Sequence, residues 1–346
     1  MAPTVLVHGS GAIGSIYVYL LIKAGFSVTA VCRSNHDAAK ANGFLIDSEK
    51  YGNNLRAHPK IVRTSAEAAQ QGGVFDYIIV TSKAIPEDKT SELIAPAVTE
   101  GRTCIALFQN GVGIEEEFAE RFPHNPLLSV VVYLPSTQIE PAHMRMGNFE
   151  MLQIGSFPAS AYKEKVGVKQ AADTFVEMLQ KAGSNAKWFD DVQEMRWRKL
   201  MLNASWNPVC ALSLSRDVAF LASAPDADRE VGALMMEVVH IAQALGYSSV
   251  NEETQVEQLK RAKDRVGGEG IEPSMLVDAL NGRRMEVETI LGNAVRTGRK
   301  AGVAVPKLEL LYALAKALDE SMLYRQPGQS LKGTETRAER GKTNAS

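Results

Sequence analysis

Cysteine is scarce: three residues, Cys32, Cys104 and Cys210, lie far apart. They form neither a CxxC pair nor a disulfide framework, so a reducing, intracellular compartment is expected. Long apolar runs are missing too. The longest, Ile16 to Ile22 and Leu127 to Leu134, fall well short of the ~20 residues that cross a bilayer, and no membrane span is expected. The N-terminus lacks a basic n-region, and its short apolar run leads into glycines. It does not read as a cleaved leader, which makes cytoplasmic the default expectation. Charge of one sign is lacking as well. With 38 basic and 40 acidic side chains the formal charge is -2, giving no global field to draw nucleic acid or an anionic membrane. The six histidines show no HxH or HExxH spacing and no Cys/His cluster exists, so no metal is expected. No internal repeat is visible.

What is present is ample core material: 346 residues, 45% hydrophobic and 23% charged, suit about two soluble domains. The first half alternates short apolar runs with helical stretches, the pattern of parallel strands joined by crossover helices. Strands are expected at Thr4 to His8, Ser27 to Val31, Tyr77 to Thr81 and Thr103 to Phe108, with a helix over Ile13 to Ala24. Looser β-like runs at Leu127 to Leu134 and Met146 to Ile154 suggest an added sheet edge. From Val192 onward the periodicity is helical, over Val192 to Trp206, Asp228 to Leu245, Glu252 to Lys263, Arg283 to Ala301 and Pro306 to Tyr324. The expected organisation is an α/β Rossmann-type domain over residues 1–190, an all-α domain over 191–325 and a disordered tail over 326–346 that has no aromatic residue.

Gly9-Ser10-Gly11-Ala12-Ile13-Gly14 directly follows the first strand pattern and opens a helix, the context in which GxGxxG signals a dinucleotide site. Gly9 permits the tight turn, Gly11 lets pyrophosphate approach the backbone, and Gly14 allows close helix–strand packing. The free N–H groups at the helix start then bind phosphate oxygens. About 20 residues on, where an NAD enzyme places a carboxylate on the ribose, the chain carries Arg33 and Ser34. A guanidinium suits the 2′-phosphate of NADP(H). A surface arginine with no ligand is the competing explanation, and Asp37, a little farther on, counts against NADP. Two more loops follow strands, Thr81-Ser82-Lys83-Ala84 and Gln109-Asn110-Gly111-Val112-Gly113. Each alone is an ordinary turn, but their register with the glycine motif points to a shared cleft.

In the helical half Lys199, Asn203 and Asn207 are spaced i, i+4, i+8 and share one helix face. Either the face meets solvent or it lines a cleft; two asparagines, poor helix formers, favour the cleft. A second cluster, Pro273-Ser274-Met275-Leu276-Val277-Asp278 followed by Arg283-Arg284-Met285-Glu286-Val287-Glu288, reads by spacing alone as helix surface.

The ordered set GSGAIG, TSKA, QNG, WRKLxxNxxxNP, PSMLVD and the ME after it resembles the ketopantoate reductase (2-dehydropantoate 2-reductase) family up to about Tyr324. The resemblance implies a Rossmann domain joined to a helical domain of the kind found in 6-phosphogluconate dehydrogenase. It implies Lys199 as general acid and Glu286 as the residue that binds the substrate hydroxyl and orients the lysine. Asn203, Asn207 and Ser274 would hold the substrate, with Lys83 and Asn110 beside the nicotinamide. Hydride addition to a 2-oxo acid builds negative charge on oxygen, which a lysine can stabilise and protonate. The expected activity is NADPH-dependent reduction of ketopantoate to pantoate. The alternatives are reduction of another 2-oxo acid or ketone at the same site, and an NADP(H)-binding sensor or scaffold. The chain departs from the family at Gly270-Ile271-Glu272-Pro273, and Ser136 to Ser160 is longer than a minimal member needs. The expected partner is a small-molecule 2-oxo acid, with no nucleic acid and no membrane; a homodimer is left open, since no heptad marks an interface.

Overall fold

A computed structural model describes residues 2–324; the tail expected over 326–346 lies outside the described residues. The chain divides into two compact units, the first ending at Arg196 and the second beginning at Trp197. The division falls inside one helix, Val192–Ser213.

Among the described residues, twelve strands belong to the first unit. They are β1 (Thr4–His8), β2 (Ser27–Val31), β3 (Phe44–Ser48), β4 (Gly52–Ala57), β5 (Lys60–Val62), β6 (Tyr77–Val80), β7 (Cys104–Leu107), β8 (Leu127–Tyr133), β9 (Ser136–Glu140), β10 (His143–Met146), β11 (Met151–Ser156) and β12 (Ala186–Trp188). Eight form one sheet in the order β12-β11-β8-β7-β6-β1-β2-β5. Its strands from β5 to β8 are parallel, while β11 runs antiparallel to β8. Parallel central strands are covered on both faces, which is why β1, β6 and β7 read as unbroken apolar runs.

The other four strands form a second sheet, β4-β3-β10-β9. It packs on the Ala12–Lys23 helix, which follows β1. That helix is therefore buried from Gly14 through Leu21, and its sequence, apolar on every side, has this cause. One core joins Val5 and Phe108 of the main sheet region, through Tyr17 and Leu21, to Ile46 and Met144 of the second sheet. The expected single β run Met146 to Ile154 is corrected here. It splits between β10 and β11, which belong to different sheets, because Gly147 and the exposed Asn148 and Phe149 break the pattern.

The second unit is all helical among the described residues. Its Ala227–Ala244 helix packs against the helices Glu252–Lys263, Asn293–Lys300 and Pro306–Tyr324. The N-terminus of the last is capped by buried Glu237, which accepts from Lys307 N at 3.0 Å and Leu308 N at 2.9 Å. Two expectations need correction. The Val192 helix does not stop at Trp206 but continues through Pro208 to Ser213; a proline forfeits one backbone bond, and the buried flank from Ala204 to Ala211 offsets it. The helix expected from Arg283 begins only after Glu286, with a π turn at Glu288–Gly292. Asp319 binds Arg284 Nε and Met285 N, each at 2.7 Å, and holds those residues outside the helix. No helix among the described residues is long and apolar enough to cross a membrane.

Candidate active site

The turn after β1 is shaped by what surrounds it. Gly9 has φ +101°, and a Cβ there would lie 2.4 Å from Ser82 N. A Cβ on Gly14 would meet Gly9 O at 2.5 Å and Thr81 Oγ1 at 2.6 Å. The Thr81 hydroxyl donates to Gly9 O at 2.5 Å, Ser10 N donates to Val31 O at 3.1 Å, and Asn35 Nδ2 donates to Ser10 O at 2.9 Å. The turn is thus fixed from both neighbouring strands. Gly11 is exposed, and a Cβ on it would meet nothing within 4 Å.

Three observations fit this turn to a dinucleotide pyrophosphate. The helix that begins at Ala12 has no side-chain cap and no acidic residue in its first turn, so its orphan N–H groups face an anion without competition. The open side of Gly11 leaves room for phosphate against the backbone. The Ser10 and Ser82 hydroxyl oxygens are buried without a partner at hydrogen-bond geometry, an arrangement that calls for an acceptor or donor from a ligand or water. The Cys32 thiol lies near enough to feel Ser10, but burial dominates and pushes it up to about 11.

Beyond β2, Arg33 and Ser34 are exposed. Arg33 Nη2 stands 3.6 Å from Asp88 Oδ2. Asp37 is bound by Arg63 at 2.7 Å and by His36 at 2.7 Å. At the end of β1, the buried His8 ring shares a 2.9 Å bond with Ser65 Oγ; burial, helped by the Arg33 charge, lowers it to about 4.

Lys83 and Asn110 are both half-buried, on the loops after β6 and β7. Gln109 Nε2 donates to Ser82 O at 3.0 Å and ties these loops together. Behind them is a feature that sequence reading missed. Arg196, 3% exposed, donates to Gln109 O and Gly111 O at 3.0 Å each, the two carbonyls that flank Asn110. It also reaches Ser129 Oγ at 2.5 Å, and Glu115 neutralises it at 2.8 Å. In the sequence Arg196 is one of three cations in Arg196-Trp197-Arg198-Lys199, and Glu115 the first of three acids. The one usable signal was a charge set between apolar Met195 and Trp197.

In the second unit Lys199 and Asn203 are half-buried and Asn207 is buried, so their shared face is not a solvated stripe. Asn207 Nδ2 donates to Ser274 Oγ at 3.3 Å, joining the two sequence clusters. Glu286 is 8% exposed, directly after the non-helical residues that Asp319 holds. A carboxylate so buried needs cationic or hydrogen-bonding company.

A doubly wound α/β unit carrying this turn, followed by an all-helical unit, defines a dinucleotide-dependent oxidoreductase. The family described as Ketopantoate reductase PanE/ApbA matches residues 5–159, and its C-terminal part, Ketopantoate reductase PanE/ApbA C terminal, matches residues 191–319. The chain belongs to the ketopantoate reductase family. Its members are oxidoreductases. An uncharacterized protein of Saccharomyces cerevisiae is 32% identical over 338 residues, covering 90% of this chain and 92% of its own. The crystal structure of 2-dehydropantoate 2-reductase from Methylococcus capsulatus is 32% identical, with a TM-score of 0.78 over 96% of this chain and all of its own. D-mandelate dehydrogenase, solved with NADH and anilino(oxo)acetate, is 21% identical and shares the fold, with a TM-score of 0.78 over 92% of this chain and 99% of its own.

Proposed function

We propose that the chain reduces 2-dehydropantoate to pantoate with NADPH, with the cofactor on the first unit and substrate-binding groups on the second. The observation that carries the reading is the side-chain set of the second unit. Lys199, Asn203 and Asn207 share a helix face that is half-buried at the first two and buried at the third, Asn207 is bonded to Ser274, and Glu286 is a buried carboxylate. Amide and hydroxyl donors suit a substrate carboxylate without burying another charge. Lys199 stabilises and protonates the developing alkoxide. Glu286 accepts from the new hydroxyl and orients the ammonium group.

When bound, the dinucleotide supplies the hydride to the ketone carbon. The backbone of Gly9, Ser10, Gly11, Ala12, Ile13 and Gly14 holds its pyrophosphate, Arg33 and Ser34 take the 2′-phosphate, and Lys83 and Asn110 face the nicotinamide end. The similarity to the Methylococcus capsulatus enzyme supports ketopantoate. A second reading, another 2-oxo acid, is favoured by one observation. Ahead of Ser274, Glu272 is bound by Arg216 at 2.9 Å, so the segment that departs from the family is fixed in its own arrangement. D-mandelate dehydrogenase carries an oxoacetate on the same fold.

The test follows loss of the reduced-nicotinamide absorbance with ketopantoate beside a panel of 2-oxo acids, with Lys199→Ala as control. Turnover should fall about 10²–10⁴-fold in the variant while NADPH binding is kept. Ketopantoate reduction that survives Lys199→Ala overturns the mechanism, and a faster second acid reassigns the substrate. Tight NADPH binding with no turnover on any acid points to a sensor.

A further inference from the structure

In the main sheet β1 lies between β6 and β2, so the segments that follow those two strands flank the glycine turn. Arg33 stands two residues past β2, and Asp88 ends the short Pro86–Asp88 turn beyond β6. Their side chains meet at 3.6 Å. The contact therefore reaches from one neighbour of the glycine turn to the other, over the end of β1. Arg33 is 71% exposed and Asp88 32%, so both are open to a ligand. Asp88 is the one ionic partner of Arg33 among the described residues. Its nearest chain rival, Asp37, is committed to Arg63 and His36, and the buried His8 ring is neutral near neutral pH.

We propose that Asp88 is a specificity-determining residue that sets how strongly the chain prefers NADPH over NADH. The inference rests on the reading of Arg33 as the 2′-phosphate ligand. In the free chain the Asp88 carboxylate engages Arg33, and a 2′-phosphate must displace it and then lie beside its negative charge. A ribose 2′-hydroxyl meets no such repulsion. Asp88 therefore weakens binding of the phosphorylated cofactor and narrows the gap between the two. Because both side chains are solvated, the effect is modest and salt-dependent.

The test measures binding, not turnover, on the full chain. NADPH, NADH, 2′,5′-ADP and 5′-AMP are titrated by calorimetry into the native protein, Asp88→Asn and Arg33→Ala, at low and at high salt. Asp88→Asn should tighten NADPH and 2′,5′-ADP by about three- to tenfold at low salt and leave NADH and 5′-AMP within about twofold. The gain should shrink at high salt. An unchanged NADPH affinity, or an equal gain for both cofactors, overturns the proposal. Selective weakening of NADH also overturns it, since Asp88 would then be an acceptor for the ribose hydroxyl. Arg33→Ala separates the two levels of argument. If it fails to weaken 2′,5′-ADP relative to 5′-AMP, the 2′-phosphate reading itself falls. If it does weaken it while Asp88→Asn has no effect, only the role of Asp88 falls.

Discussion

Arg196 and Glu115 form an ion pair at 2.8 Å with side chains 2% and 0% exposed, and Arg196 Nη1 donates to the carbonyls either side of Asn110. Burial lowers the guanidinium pKa, and the Glu115 carboxylate opposes that shift; an arginine stays charged regardless. The pair is self-neutralising, but each half alone is an unpaired buried charge. Arg196→Met should therefore cost about 3–5 kcal/mol in urea unfolding, whereas Arg196→Met combined with Glu115→Leu should recover part of the loss. NADPH affinity should fall in the single variant, because the loop that carries Asn110 loses its support. A single variant as stable as the native chain would show that the pair is not carrying the loop.

Asp319 makes a comparable hold on the other unit. It is 1% exposed, and its two oxygens bind Arg284 Nε and Met285 N, the residues just before Glu286. Asp319→Ala leaves Arg284 with one fewer anion and releases a backbone donor, at a cost of about 3 kcal/mol. Under the proposed mechanism kcat should drop with NADPH affinity unchanged, since only the placement of Glu286 is disturbed. Asp319→Asn, which can still accept from Met285 N, should restore part of kcat. Equal losses of kcat in both variants would separate Asp319 from that role.

The parts legible in sequence were those whose burial leaves a one-residue-type signature. β1 and β2 lie inside a two-sided sheet and read as apolar runs bounded by glycine, and their observed ends coincide with the expected ones. Glu252–Lys263 was expected from its helical periodicity, and its observed ends coincide with the expected ones. The second sheet was not legible. β4 is largely exposed and polar, Gly52-Asn53-Asn54-Leu55-Arg56-Ala57, and its neighbour β3 pairs on the other side with β10, about a hundred positions away, a pairing no local pattern encodes. At the site, the glycine turn and the Lys199–Asn207 face were visible because chemistry and spacing coincide. Arg196, Glu115 and Asp319 were not, because a buried charge and a surface charge are the same letter until the fold supplies the partner.

His8 gives a pH test of the first unit. Its ring is 8% exposed and lowered to about 4, mainly by burial and then by Arg33. The unfolded chain, with an imidazole near the usual 6.5, takes up the proton first as pH falls. Stability is then full above about pH 6.5 and is lost progressively toward about pH 4, with about 2 kcal/mol gone by pH 5. Urea unfolding across this range should show that slope in the native chain and a flatter one in His8→Gln. An equal slope in both would assign the acid sensitivity to other groups.

The glycine turn separates folding from binding by two neighbouring substitutions. Gly14 is buried, and a Cβ there meets Gly9 O and Thr81 Oγ1 at 2.5 and 2.6 Å. Gly14→Ala should cost about 1–3 kcal/mol of stability as the helix and turn are forced apart, and dinucleotide affinity with it. Gly11 has φ -82° and ψ -154°, which any residue adopts, and its side is open. Gly11→Ala should leave stability within about 0.5 kcal/mol yet weaken NADPH at least about tenfold, because the methyl group occupies the approach to the backbone N–H groups. Urea unfolding and cofactor titration on the same preparations distinguish the two. If Gly11→Ala bound NADPH as tightly as the native chain, the pyrophosphate would not lie against this turn.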